Sequence, residues 1–571
     1  MRKFSLRVHT LMVNLDGRVQ SIIIAIIVGS VSGLAAVILN RSLKGMSGLV
    51  DRSFQGWMLV AAPLIGIMLT VVWLKYLVRD FGGHGVPEVI YSVGMKGGRL
   101  RLRSAYSKLV GSLLTLASGG SAGPEAPVVI SGAAIGSNIA SYFRTNDRIR
   151  TAVTGSGAAA AIAAIFNAPL AGIIFTMEVI LGEWTALNLL PVAIASVSGT
   201  IVSRALNGNQ IPFSHRPLQI GLTDILAAAG LAVLAALCAV ALIRALRWAG
   251  VLFAKLTSSD LGRALAGGLL VGGLAYFFVE VRGDGYDVVR TLIEGRFEKA
   301  VGLAFALVAL KVAATALTLS AGGAGGVFAP SLVIGSLTGF FYHQVLTAVF
   351  PAVVFAGPGL FALVGMAGVL SGTLQAPLTA MFLILEITSG YDAILPLLIV
   401  SFLASTLVKL AEKNSIYVQE LVRKGMLVRP RTDAHILADL RVDELLEKDC
   451  IRIHPDMTLE QMVPVIQKSP RNYFPVEDRE SGKFLGMVTF DDIKPYLFTQ
   501  DLLPTIIVEE VMRTDLLLVD RKDRVVDILK KFDMSESWSL PVVEADRFVG
   551  LISKATLLDH YRKELLAQTD L

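Results

Sequence analysis

Between residues 21 and 428 the chain is crowded with apolar stretches, yet many are cut short by glycine or proline. The breaks fall at Gly82 to Pro87, Gly119 to Pro127, Asn167 to Pro169, Gly322 to Pro330 and Gln375 to Pro377. Uninterrupted membrane spans alone do not produce this pattern. A helix broken at membrane depth is tolerated only where its freed backbone groups are buried in protein or line a polar cavity. Such breaks present helix N-termini, whose unpaired N–H groups and positive dipole ends suit anions.

The breaks also repeat. Asn167-Ala-Pro-Leu followed by Glu178 returns as Gln375-Ala-Pro-Leu followed by Glu386, both at an offset of 208, and Ala126-Pro127 returns as Ala329-Pro330 at 203. Two halves, about 21–205 and 220–428, therefore share one plan, whether inverted or parallel. Folds built in this way place their substrate between the halves, at the interrupted helices.

One break carries charge. Ser118-Gly-Gly-Ser-Ala-Gly-Pro-Glu-Ala-Pro127 holds Glu125 beside a glycine-rich turn and a helix-starting proline, whereas its echo, Ser320 to Pro330, has Val327-Phe328 in that region. An ionisable residue in a membrane interior is a functional-site hypothesis by default. The bland alternative is a carboxylate that only caps a helix.

Charge divides the chain near Pro430. Hydrophobic residues make up 54% of the whole, too much for one soluble domain of 571 residues. Residues 431–571 hold 19 Lys/Arg against 27 Asp/Glu, leaving 33 against 19 for the first 430. Cytoplasmic loops that collect Lys and Arg account for most of the basic excess. Cys238 and Cys450 are too few and too distant for a disulfide framework or metal site. The basic segment 1–20 leads into an apolar run from Ser21 to Leu39 without a small-residue cleavage site, as in a retained first helix. The tail alternates short strands with helical stretches and repeats as well. Tyr473-Phe-Pro-Val476 with Phe484-Leu-Gly-Met-Val-Thr489 is matched by Ser539-Leu-Pro-Val542 with Phe548-Val-Gly-Leu-Ile-Ser553, giving two small α/β modules.

Gly83-His-Gly-Val-Pro87, Gly123-Pro-Glu-Ala-Pro127, Gly326-Val-Phe-Ala-Pro330 and Tyr417 occur together and in order. In this the chain resembles the CLC family of chloride channels and proton-coupled chloride exchangers over nearly all of residues 20–428. The tail resembles a cystathionine β-synthase (CBS) domain pair. The resemblance implies an all-α polytopic membrane domain of two related halves with broken helices at 21–428, after a cytoplasmic segment 1–20. A linker at 429–441 then leads to a cytoplasmic α/β tandem CBS pair at 442–498 and 508–567. It implies a homodimer in a lipid bilayer, in the cell (inner) membrane with cytoplasmic termini, that moves chloride with no metal or redox cofactor. Neither enzymatic activity nor nucleic-acid binding is expected.

By the same resemblance Glu125 is the gating carboxylate that competes with chloride. Gly83, His84, Gly85, Gly326, Val327, Phe328 and Tyr417 line the anion site, largely through backbone N–H groups. His84 stands where many members have a serine, leaving anion selectivity, fluoride included, open. Pro124 replaces a residue that usually has an N–H to give. Lys311 resembles the basic residue near the pore, with a pairing to Glu386 as the structural alternative. Val179 falls where proton-coupled members carry an internal glutamate, and Glu178 matches the glutamate before it. The expectation from Val179 is a passive, gated anion channel, with chloride/proton antiport as the alternative. In the tail, Thr489 and Asp492 have the hydroxyl and acid spacing of a nucleotide ribose site for an adenine nucleotide, whereas the second copy has Thr556 in place of the acid.

Overall fold

The computed structural model describes residues 17–80, 85–209, 211–213, 220–297, 300–423, 440–535 and 537–569. It divides into two compact units, residues 1–427 and 428–571. In the first, eight helices among the described residues are long and apolar enough to cross a membrane. Others are not: Val86–Met95 and Pro169–Phe175 are too short for the about 20 residues that a bilayer core requires. The first helix, Gly17–Ser53, begins inside the segment expected to precede the membrane domain.

The halves correspond element by element. Gly17–Ser53, Glu125–Tyr142, Asp147–Phe166 and Ala186–Asn207 answer to Leu222–Leu256, Phe328–Val349, Pro358–Leu374 and Ile394–Ala411. The breaks have one local cause in both copies. Asn167 and Gln375 end their helices in left-handed conformations, φ 56° and 55°, and Pro169 and Pro377 open the next helices.

Small residues let the helices meet. A methyl group on Gly157 would lie 2.0 Å from the Gly132 carbonyl, and one on Gly365 would lie 2.2 Å from the Gly335 carbonyl. Equivalent helix pairs therefore cross backbone to backbone at equivalent points, as small residues permit in membranes. The helix Pro358–Leu374 is buried from Gly359 to Leu374, so the interior of this unit is protein on all sides. Leu222, Leu226, Trp248 and Phe277 face outward, where an apolar solvent suits them.

In the second unit, Tyr473–Glu477 pairs antiparallel with Phe484–Thr489. Ser539–Glu544 pairs antiparallel with Arg547–Ser553 and parallel with Val519–Asp520. The modules exchange lead segments: Arg513, in the lead segment of the second, bridges to Met487 of the first, and Glu447, in the lead segment of the first, bridges to Leu551 of the second. Phe484 and Phe548 stack between them with centroids 5.7 Å apart.

The two tight crossings carry a prediction. Gly157→Ala or Gly365→Ala must push backbones apart, at a cost of about 1–3 kcal/mol. Both should lower the temperature at which the purified protein loses its monodisperse size-exclusion peak, while Gly273→Ala, with nothing within 4 Å of its added methyl, should not.

Candidate functional site

The two glycine-rich breaks meet each other. Gly123 N–H donates to the Gly326 carbonyl at 2.8 Å, and Gly326 N–H donates to the Gly123 carbonyl at 2.7 Å. The pairing is antiparallel between equivalent positions, so the loops run in opposite directions about a local two-fold. Each loop is also tied to the other half. Ala324 N–H donates to Thr115 Oγ1 at 3.0 Å, and Ser121 N–H donates to Thr318 Oγ1 at 3.1 Å. Helices Glu125–Tyr142 and Phe328–Val349 start where the loops cross, so their N-termini converge. Pro124 and Pro127 have no N–H to offer, which leaves Glu125 and Ala126 as the donors of the first loop, facing Val327, Phe328 and Ala329 of the second.

Glu125 lies in that convergence and is only 1% exposed. Its Oε1 accepts a 2.5 Å hydrogen bond from the Tyr286 hydroxyl. Its Oε2 is buried without a hydrogen-bond partner, in the field of the Glu125 and Ala329 N–H groups. It sits so close over Gly123 that a methyl there would lie 2.0 Å from it. A carboxylate oxygen therefore occupies space that helix termini make favourable for an anion.

The other expected residues are placed as follows. Gly85 caps the helix Val86–Met95 with φ 88°, and a methyl on it would meet the Ala126 carbonyl at 2.8 Å, so this third loop packs on the Glu125 loop. Gly83 and His84 lie outside the described residues. Val327 caps the helix that Phe328 begins, and the Phe328 ring packs on Phe166 and Phe175. Tyr417 is buried, within electrostatic reach of Glu125.

Lys311 is fully buried, and its Nζ donates to the carbonyls of Val281 at 3.0 Å and Gly283 at 2.9 Å, with the Asp284 charge nearby. The suggested Glu386 partner is engaged elsewhere. Glu386 accepts from the N–H groups of Leu170 at 3.0 Å and Ala171 at 2.7 Å, at the start of the opposite half's Pro169–Phe175 helix. Glu178 does the reciprocal, accepting from Leu378 N–H at 3.2 Å, Thr379 N–H at 2.7 Å and Thr379 Oγ1 at 2.6 Å. Each carboxylate caps the other half's helix, and Val179, beside Glu178, is a half-buried side chain packed on the core.

Sequence reasoning missed two residues here. Lys108 is buried and donates to the Asp80 carbonyl at 3.2 Å, as the counterpart of Lys311. The offset of 203 that relates Ala126 to Ala329 also relates Lys108 to Lys311 and would have found it. Tyr286 has no such signal, because only folding carries residue 286 to residue 125.

In the tail, Asp492 Oδ2 accepts from Thr489 N–H at 2.8 Å and Thr489 Oγ1 at 2.6 Å, and its Oδ1 accepts from Arg513 at 2.5 and 2.8 Å. Burial pushes the Asp492 carboxyl up, but the bonds from Thr489 and Arg513 outweigh it and hold the group below the usual aspartate range. In the second module Thr556 stands in place of the acid, and its hydroxyl meets a carboxylate from elsewhere in the chain. Glu447 accepts from Ser553 Oγ at 2.6 Å and from Thr556 Oγ1, and it pairs with Arg471 at 2.8 Å. No cluster among the described residues has the make-up of a metal site.

Comparison with known proteins agrees with this geometry. The family model described as voltage gated chloride channel matches residues 66–409, and the CBS domain model matches 442–498 and 508–563. The H(+)/Cl(-) exchange transporter ClcA of Vibrio cholerae is 31% identical over 428 residues, covering 70% of this chain and 88% of that relative. Among solved structures, a slow cyanobacterial Cl-/H+ antiporter aligns with TM-score 0.65 at 24% identity over 72% of this chain and 99% of its own. A eukaryotic CLC transporter aligns with TM-score 0.62 at 20% identity over 94% of this chain and 97% of its own. The chain is thus an integral multi-pass membrane protein of the voltage-gated chloride channel (CLC) family, with a CBS domain pair behind its membrane unit.

Proposed function

We propose that the protein exchanges chloride for protons across its membrane, with Glu125 alternately filling and vacating the anion site. The observation that carries this reading is the Glu125 carboxylate itself, buried where two helix N-termini converge, with one oxygen tied to Tyr286 and the other unpaired. An ionised carboxylate resembles a bound anion, and protonation removes that resemblance and lets chloride take its place. One group can then serve both ions. The exchanger named among the relatives, aligned over most of its length, supports coupling of the two movements.

This reading displaces the passive conduction that residue 179 suggested. Passive conduction stays as the second reading on one observation: Val179 has no proton to carry, and the adjacent Glu178 carboxylate is committed to three hydrogen bonds. Exchange here requires protons to reach Glu125 without a carboxylate at position 179.

The remaining roles follow from the same site. Backbone N–H groups around Gly85, Val327 and Phe328, with the Tyr417 hydroxyl, hold the dehydrated anion by partial charges, weakly enough for it to leave; the Gly326 N–H, expected to join them, is instead spent on the Gly123 carbonyl at 2.7 Å. Lys311 raises the local potential without touching the ion. The protein works as a homodimer in the cell membrane with cytoplasmic termini and needs no metal or redox group. In the CBS pair, Thr489 and Asp492 hold the ribose of an adenine nucleotide, in competition with Arg513.

Three measurements test these statements. In liposomes, a chloride gradient should drive sustained uphill proton movement, and chloride flux with none would restore the passive reading. Glu125→Gln should abolish the proton movement and leave chloride flux that no longer varies with pH. Calorimetry of ATP, ADP and AMP against the full chain should show binding that Asp492→Ala weakens about tenfold, the worth of one or two lost hydrogen bonds; no heat with the wild type removes the nucleotide site.

A further inference from the structure

Lys311 does not stand free near the pore. Its Nζ is bound to the carbonyls of Val281 and Gly283, and a methyl on Gly285 would lie 3.2 Å from it. The lysine thus clamps the loop 281–285 from behind. Gly285, with φ 78°, turns that loop into the helix Tyr286–Ile293, and Tyr286 N–H donates to Asp284 Oδ1 at 3.2 Å. The Tyr286 ring lies edge-on to Phe213 with centroids 5.4 Å apart, and Phe213 is held by its own N–H to the Ile387 carbonyl at 3.0 Å. Clamp, turn and ring contact hold the phenol where its hydroxyl meets Glu125 at 2.5 Å.

We propose that Tyr286 is the positioning residue of the gate, its hydroxyl latching the ionised Glu125 carboxylate in the anion site. The proposal rests on the gating reading of Glu125 above. A phenol O–H can donate to a carboxylate but loses that role when the carboxyl is protonated and swings away, so the latch favours the closed, charged state. Around Glu125, the titratable neighbours among the described residues are Tyr286, Asp284 of the loop before it and Tyr417 of the helix Ile416–Arg423, and of these Tyr286 makes the hydrogen bond. Phe328 and Ala329, from the facing helix, bring none.

Tyr286→Phe keeps the ring on Phe213 and deletes only the donor. Losing one hydrogen bond to a charged group shifts its ionisation by about tenfold, or about one pH unit. The carboxylate then takes its proton more easily, so the pH of half-maximal chloride flux should rise by about one unit. In a Glu125→Gln background the same change should have no effect on flux. A monodisperse Tyr286→Phe protein with the wild-type pH profile, beside a Glu125→Gln protein that has lost its own, overturns the latch alone. Equal effects of Tyr286→Phe in both backgrounds also overturn it. A Glu125→Gln protein that keeps the wild-type profile overturns the gating reading and the latch with it.

Discussion

Two hydrogen bonds between Gly123 and Gly326 bring a helix N-terminus from each half of the chain to one point inside the membrane. Everything else at the site depends on that contact. A helix N-terminus buried without partners is costly, because its N–H groups have left water and found nothing. Placing two of them face to face concentrates the cost and creates a locus where an anion is stabilised by dipoles alone. Both loops are tight at these glycines: a methyl on Gly123 would meet the Glu125 carboxylate and lie 3.0 Å from the Ala329 nitrogen, and one on Gly326 would lie 3.0 Å from Ala126 Cβ.

The same exchange between halves recurs through the membrane unit. Glu178 and Glu386 cap each other's helices, Thr115 and Thr318 accept from each other's loops, and Lys108 and Lys311 hold loop carbonyls in their own halves. Each of these groups thereby meets a backbone partner, the condition under which buried polar groups are tolerated in a membrane. Because the partners of Glu178, Glu386, Thr115 and Thr318 come from the other half, neither half can satisfy these groups alone. A two-fold arrangement follows from that mutual need.

Glu125 departs from this rule. One of its oxygens is satisfied and the other is not, while its counterpart region in the second half, Val327-Phe328, carries no charge. In an otherwise two-fold scaffold, Glu125 is thus an asymmetric, half-satisfied acid. The loop that leads into Tyr286 is held by Lys311, so Lys311, whatever it adds to the local potential, also supports the residue that donates to Glu125.

Much of this was legible in residue order. The offsets of 203 and 208 announce the repeat, Gly and Pro mark the breaks, and charge density separates the tail, because these depend on composition and spacing along the chain. Glu125 stands out for the same reason, as an isolated acid in apolar surroundings. What could not be read was every partnership made across the chain: Glu386 on Leu170 and Ala171 instead of on Lys311, Glu447 on the hydroxyls of Ser553 and Thr556, and Tyr286 reaching Glu125. Sequence by itself determined where the helices break and which of those breaks carries charge, since local backbone chemistry decides both. Only the tertiary structure decided which groups satisfy one another there, because hydrogen bonds act over about 3 Å of space and residues 161 positions apart become neighbours only when the two halves fold together.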